Sequence, residues 1–158
     1  MKEILRQFVG FIIIGPFLLS IKFLSLFTTR EKAVAIIGPL LIKAAKMFVR
    51  ILVPNVKNYA EFDKLKNTIT KRARRLWLFY DITIAEKNDH LLKLHVANCP
   101  FAEMAVRLGY ADIGPVMCQC DWEVAKDNID KWDFDRKHQI GTGDSYCDHT
   151  YKRKTIKT

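Results

Sequence analysis

From Phe8 to Phe27 the chain runs F-V-G-F-I-I-I-G-P-F-L-L-S-I-K-F-L-S-L-F, and only Ser20, Lys22 and Ser25 interrupt it with polar groups. About 20 helical residues cross a hydrocarbon core of about 30 Å. The run therefore restricts the chain to a membrane-bound segment or to a hydrophobic helix covered by the domain or a partner. Gly15-Pro16 predicts a kink, and Lys22 lies near enough to the end to snorkel to the interface. No small-x-small cleavage pattern follows, which argues against a signal peptide. If the segment spans, Lys22, Arg30 and Lys32 outweigh Lys2 and Arg6 and put the domain on the cytoplasmic side. Residues 1–28 are thus expected to be a membrane-associated segment, in contact through residues 8–27, and residues 29–158 a single domain. The protein should fractionate with membranes and be released when residues 1–28 are removed.

Beyond this run the chain is long enough for one core and too short for two domains. Thr28 and Thr29 are suitable N-caps for a helix with Glu31 in its first turn. Apolar residues at helical spacing continue to Pro54, and Gly38-Pro39 predicts the end of one helix and the start of another. A polar helix is expected over 59–75. At Leu76 the period changes to alternation: L-W-L-F-Y-D-I-T-I-A, a K-N-D turn, then H-L-L-K-L-H-V-A-N-C. Leu92, Leu94 and Val96 fall on one face of that second strand. Pro100 opens a short helix that Gly109 stops, and Pro115 opens another, to about Asn128. Two late strands joined by G-T-G-D complete the pattern. The class is α+β: N-terminal helices, then a four-stranded antiparallel sheet with strands near 76–85, 91–98, 130–140 and 145–153, and a helical insert between the second and third.

The formal net charge of +9 suits an anionic membrane surface, an anionic small substrate or nucleic acid. The K-R-A-R-R cluster at 71–75 lacks interleaved aromatics on its N-terminal side and any nucleic-acid fold signature, which argues against nucleic acid. Lys71, Arg72, Arg74 and Arg75 are expected to be a solvated helix end, dispensable for catalysis. Four cysteines without a regular framework indicate reduced thiols. Trp77, Trp122 and Trp132 are expected in the core.

Period-two spacing places His95 with Cys99, Arg136 with His138, and Cys147 with His149, while Cys118 and Asp121 share a helix side. If the insert folds over the sheet, these residues line one cleft. A thiolate there attacks an electrophilic amidine or carbonyl carbon, with a histidine or Asp121 handling protons and Arg136 holding a substrate carboxylate. Cys, His and Asp also permit a water-activating divalent metal, although no spacing is a recognised zinc pattern. Binding without turnover is the third option. Cys120 is expected to be a core thiol.

The motifs themselves are Cys99-Pro100-Phe101, Cys118 with Asp121, Arg136, and Gly143-Asp144 with Cys147-Asp148. This set resembles the family named for L-2-amino-thiazoline-4-carboxylic acid hydrolase, with a fainter likeness running back to about Thr29. His149 stands where that family carries an aromatic. The resemblance implies a hydrolase that opens a cyclic amidine or related C–N bond of a small carboxylate. It points to Cys99, Cys118, Asp121 and Cys147 as catalytic and to Arg136 as substrate-binding; His95, His138 and His149, gathered by strand spacing alone, are expected to bind substrate as well. The alternative is a non-catalytic, membrane-associated small-molecule-binding or sensory module, since Gly-Asp-x-x-Cys also resembles 4-vinyl-reductase-type ligand domains.

Overall fold

The structure, a computed structural model, describes residues 1–155. Helix α1 (Lys2–Leu24) packs on α2 (Arg30–Leu52), and a single 3-10 turn at Tyr59–Glu61 leads into α3 (Phe62–Arg75). Strands β1 (Ile82–Lys87) and β2 (Leu91–Val96) form a hairpin. The insert contributes α4 (Pro100–Arg107), α5 (Gly114–Met117) and α6 (Gln119–Lys126), and β3 (Trp132–Asp135) and β4 (Cys147–Arg153) close the chain. All pairings are antiparallel, in the order β1-β2-β4-β3. The α+β class and the four strands are as the sequence indicates.

Several boundaries differ, each for a physical reason. The Thr29 hydroxyl accepts from the Lys32 N–H, as its cap position suggests, but Gly38-Pro39 does not divide α2. Pro39 and Ala35 are both exposed, so the carbonyl that Pro39 leaves without a donor is open to water. The strand expected from Leu76 starts at Ile82, because Phe79 and Tyr80 both donate to the Leu76 carbonyl at 2.9 Å and form a turn after α3. The third strand stops at Asp135, where Arg136 turns away to a buried partner. The helix expected from Pro115 is broken at Cys118 into α5 and α6. The G-T-G-D stretch is a 3-10 turn at Ile140–Thr142, closed by Gly143 at φ 102°.

One face of the sheet is apolar. Leu92, Leu94 and Val96 of β2 stand opposite Tyr151, His149 and Cys147 of β4, and Trp132 and Phe134 of β3 extend the surface. This face packs with Phe62, Leu65 and Ile69 of α3 and Val124 of α6 into one core. The other face carries Thr83, Lys93, His95, Asp133 and Lys152. A second core joins Ile14, Leu18 and Ile21 of α1 to Ala33, Ile37 and Leu41 of α2 and to Ala102, Met104 and Ala105 of α4. Helix α2 belongs to both, since its C-terminal residues Val49 and Leu52 reach the sheet core. Between the two cores lies the candidate site.

Helix α1 is anchored along its inner side. A Cβ on Gly10 would stand 2.5 Å from the Pro100 carbonyl oxygen, so the helices meet at glycine. Arg6 pairs with Glu3 and with Asp81. Burial of Ile14, Leu18 and Ile21 contributes on the order of 5–9 kcal/mol as an upper bound.

Candidate functional site

A cavity of about 110 Å3 opens between α2, the start of β1, the insert and β4. Helix α2 supplies Ala45, Phe48, Val49 and Leu52. Leu76, Tyr80, Ile82, Val96 and Phe101 continue an apolar wall, and Met117, Cys99, Cys118, Cys120, Asp121, Cys147 and His149 complete it. The catalytic set expected from the sequence therefore faces one space, together with His149. Phe101 is bracketed by Phe48 and Tyr80, with ring centroids 5.4 and 6.4 Å away. Ala45, Phe48 and Tyr80 are wall residues that the sequence did not single out. The aromatic density of W-L-F-Y is a signal for Tyr80 alone, and it reads as a strand.

Backbone amides reach the thiols. Cys99 precedes α4 and is approached by the N–H groups of Phe101 and Ala102. The Gly141 N–H approaches Cys118, and the Ile140 N–H donates to Cys147 Sγ at 3.2 Å. Gly141 is required for this fit: a Cβ there would lie 2.6 Å from Cys118 Sγ and 2.6 Å from the Gly114 carbonyl oxygen. Burial nonetheless dominates. It pushes the Cys99 thiol up to about 12 and the Cys118 thiol up to about 11, despite the Arg136 charge acting on Cys118. It also raises Cys147 and, furthest, Cys120. All four thiols are free and protonated at neutral pH.

Asp121 and Arg136 form a buried ion pair, their side chains 12% and 2% exposed. Arg136 also donates to the Cys118 carbonyl at 3.0 Å and to the Gln139 side chain. Its fork is thereby occupied, and a substrate carboxylate reaches it only by displacing Asp121. His149 lies beside this pair, its Nε2 3.6 Å from the Asp121 carboxylate, beyond hydrogen-bond distance. Both its ring nitrogens are buried without a partner among the described residues. Burial holds its pKa below the ordinary histidine value, so the imidazole is neutral near pH 7.

The other two candidate histidines lie elsewhere. His95 alternates with the buried residues of β2 and projects from the opposite face, its ring 4.8 Å from Tyr146. Cys99 does not share that face because β2 ends at Val96. His138 is exposed, its ring 4.9 Å from that of the same Tyr146. It has left strand geometry, so period-two spacing does not pair it with Arg136. Of the tryptophans, Trp132 is core at 1% exposed, whereas Trp77 and Trp122 stand 62% and 43% exposed. Among the described residues, no group of three His, Cys, Asp or Glu side chains is placed to hold a metal ion.

Residues 19–151 match the family model described as L-2-amino-thiazoline-4-carboxylic acid hydrolase. The chain belongs to that family. No curated protein and no solved structure matches it.

Proposed function

We propose that this protein is a hydrolase acting on the C–N bond of an amidine-like substrate bearing an acidic group, with Cys118 as nucleophile and His149 as proton carrier. The supporting observation is a neutral imidazole with two unpartnered nitrogens on a cavity wall that also holds the thiols. The Cys118 sulfur bonds to the amidine carbon while its proton passes to His149 and on to the substrate nitrogen. The C–N bond breaks, the amine departs with that proton, and water then displaces sulfur as the carbonyl forms. Formation of the thiolate during attack suits a thiol that burial keeps protonated at rest. The Gly141 N–H and the Arg136 charge are the groups that favour the developing anion. Arg136 acts here as a positioning residue, holding Asp121 and the Cys118 carbonyl; Asp121 sits where an imidazolium would form. A second reading, binding without turnover, draws on the same elevated thiol pKa values.

The test is turnover of 2-amino-thiazoline-4-carboxylate and larger amidines by folded variants. Cys118→Ala and His149→Gln are each expected to lower kcat/KM at least 100-fold, while the exposed His90→Gln stays within about twofold. On the acid side, wild-type activity should hold down to about pH 6.5, because His149 must be neutral and its pKa is depressed. Equal rates in wild type and Cys118→Ala would remove the nucleophile, and binding without any turnover would favour the second reading.

We further infer that the protein works at a membrane surface, with its domain on the cytoplasmic side. Among the described residues one helix, Lys2–Leu24, is long and apolar enough to cross a membrane, with mean hydropathy 2.0 and a third of that window buried. Its outer face presents Phe8, Ile12, Leu19 and Phe23 at 60%, 54%, 67% and 61% exposure. An unbroken apolar stripe of this length seeks lipid or a partner. Deleting residues 1–28 also strips the second core, so the sharper test alters only the outer face. Phe8→Ser/Ile12→Ser/Phe23→Ser is expected to move the folded protein from the membrane pellet to the supernatant. Full-length wild type that stays soluble and monomeric without detergent overturns the inference.

A further inference from the structure

The cavity wall and the basic end of α3 are neighbours, and together they define a ligand. Most of the wall, from Phe48, Val49 and Leu52 to Leu76, Ile82 and Phe101, is hydrocarbon. Such walls gain affinity from an apolar body, about fourfold per buried methylene. A compact ring with a charge at each side leaves them without a matching surface. The wall is also elongated. Ile82 on β1 and Cys147 on β4 flank β2, with Val96 facing both. Two strand spacings, about 10 Å, therefore separate the thiol end from the β1 end.

At that β1 end, Leu76 is shared with a second hollow of about 310 Å3, lined by Arg50, Ile51, Arg72, Arg75 and Leu76. No carboxylate lines it. Arg50 is held by Asp127 and Asn55, and Arg72 donates one N–H to the Arg50 carbonyl at 3.2 Å. Arg75 is exposed and makes no ion pair among the described residues. Arg72 and Arg75 thus keep guanidinium donors that suit a carboxylate or phosphate in two-point contact. The anion-binding role that Arg136 cannot fill while bound to Asp121 falls to these residues. The sequence alone read them as a solvated helix end.

We propose that the site takes an anionic amphiphile: an acidic head on Arg72 and Arg75, and an apolar body about 10 Å long across Leu76 toward the thiols. The proposal rests on the hydrolase reading only for the chemistry at the thiol end. Binding alone tests it, with full-length protein and straight-chain probes below their micellar concentration. Decanoate is expected to bind one to one, at least tenfold tighter than hexanoate and at least tenfold tighter than decyltrimethylammonium. Arg72→Gln/Arg75→Gln should weaken decanoate at least tenfold, and Val49→Trp should abolish its binding in a protein with unchanged circular dichroism. Bound decanoate should slow alkylation of Cys118 by iodoacetamide at pH 9, read by mass spectrometry. Competition by phosphatidylglycerol vesicles would make the bilayer the ligand's source, and no competition would make it the solution; either keeps the site. Equal affinity for hexanoate and decanoate, equal affinity for the cation, or unslowed alkylation each overturns the proposal. Decanoate bound as expected, together with no turnover of 2-amino-thiazoline-4-carboxylate or larger amidines by wild type, sinks the hydrolase reading alone.

Discussion

Between pH 8.5 and 11 the protein is expected to lose several kcal/mol of stability and to unfold at a urea concentration that falls steadily with pH. The cause is the buried thiols. In the unfolded chain they ionise near their ordinary value of 9.0, whereas folded Cys99 holds its proton to about 12 and Cys118 to about 11. Groups whose folded pKa is raised stabilise fully below the unfolded pKa, and that contribution disappears as pH climbs toward the folded value. Each thiol in this window contributes a slope of up to about 1.4 kcal/mol per pH unit. Cys147 and Cys120 act in the same direction, and buried Tyr80 and Tyr151 join above about pH 10. Urea midpoints measured under reducing conditions read the slope. Cys99→Ala should flatten it by about one thiol's share, even if its stability at pH 7 is lower. A midpoint that is flat from pH 8 to pH 11 would show that the cavity hydrates and the thiols ionise as in water.

Arg136→Met is expected to lower stability by about 3–5 kcal/mol, as much as many domains possess. The substitution leaves the Asp121 charge buried and deprives the Cys118 carbonyl and Gln139 of a donor. Asp121→Leu should cost a comparable amount through the abandoned guanidinium. The double variant Asp121→Leu/Arg136→Met should recover most of either loss, because an apolar pair of similar volume carries no desolvation penalty. Exposed pairs offer the contrast: breaking Lys126–Glu123, 3.9 Å apart on the surface, should change stability by less than about 1 kcal/mol. Thermal melts of the three variants form a double-mutant cycle. Additive losses would mean that the two side chains do not depend on each other.

Parts of this arrangement are legible in the sequence because local period and burial agree there. L-L-K-L-H-V alternates cleanly, and the same alternation sends His95 to the far side from Leu94 and Val96. Cys147 and His149 keep two-residue spacing within a true strand, so they stay together. Legibility fails where a residue leaves its element for a distant partner. Arg136 ends β3 by turning to Asp121, and nothing in D-F-D-R-K-H marks that exit. Leu76 to Tyr80 has strand composition, yet Leu76 and Tyr80 are spent on lining a cavity whose other wall is α2. Pro39 is a helix breaker only where the orphaned carbonyl is dry, and the sequence does not show which side of α2 is wet. The arginine-lined hollow depends on two helices meeting, so K-R-A-R-R alone reads as surface.

The contact between Gly114 and Gly141 bears on which substitutions this chain tolerates. The amides that face Cys118 and Cys147 belong to the main chain of residues 140 and 141. That loop is held by groups outside itself: the Asp148 carboxylate takes the Lys137 and His138 N–H groups at 2.8 and 2.6 Å, and the Asp144 carboxylate takes that of Gln139 at 2.7 Å. The Thr142 hydroxyl adds a bond to the Gln139 carbonyl at 2.9 Å, whereas the Lys137 side chain makes no hydrogen bond among the described residues. Substitution of Lys137 is therefore expected to be silent, provided that Gly114, Gly141, Asp144 and Asp148 persist. The surroundings of the thiols are thus written mainly in two glycines and two aspartates rather than in the longer side chains between them.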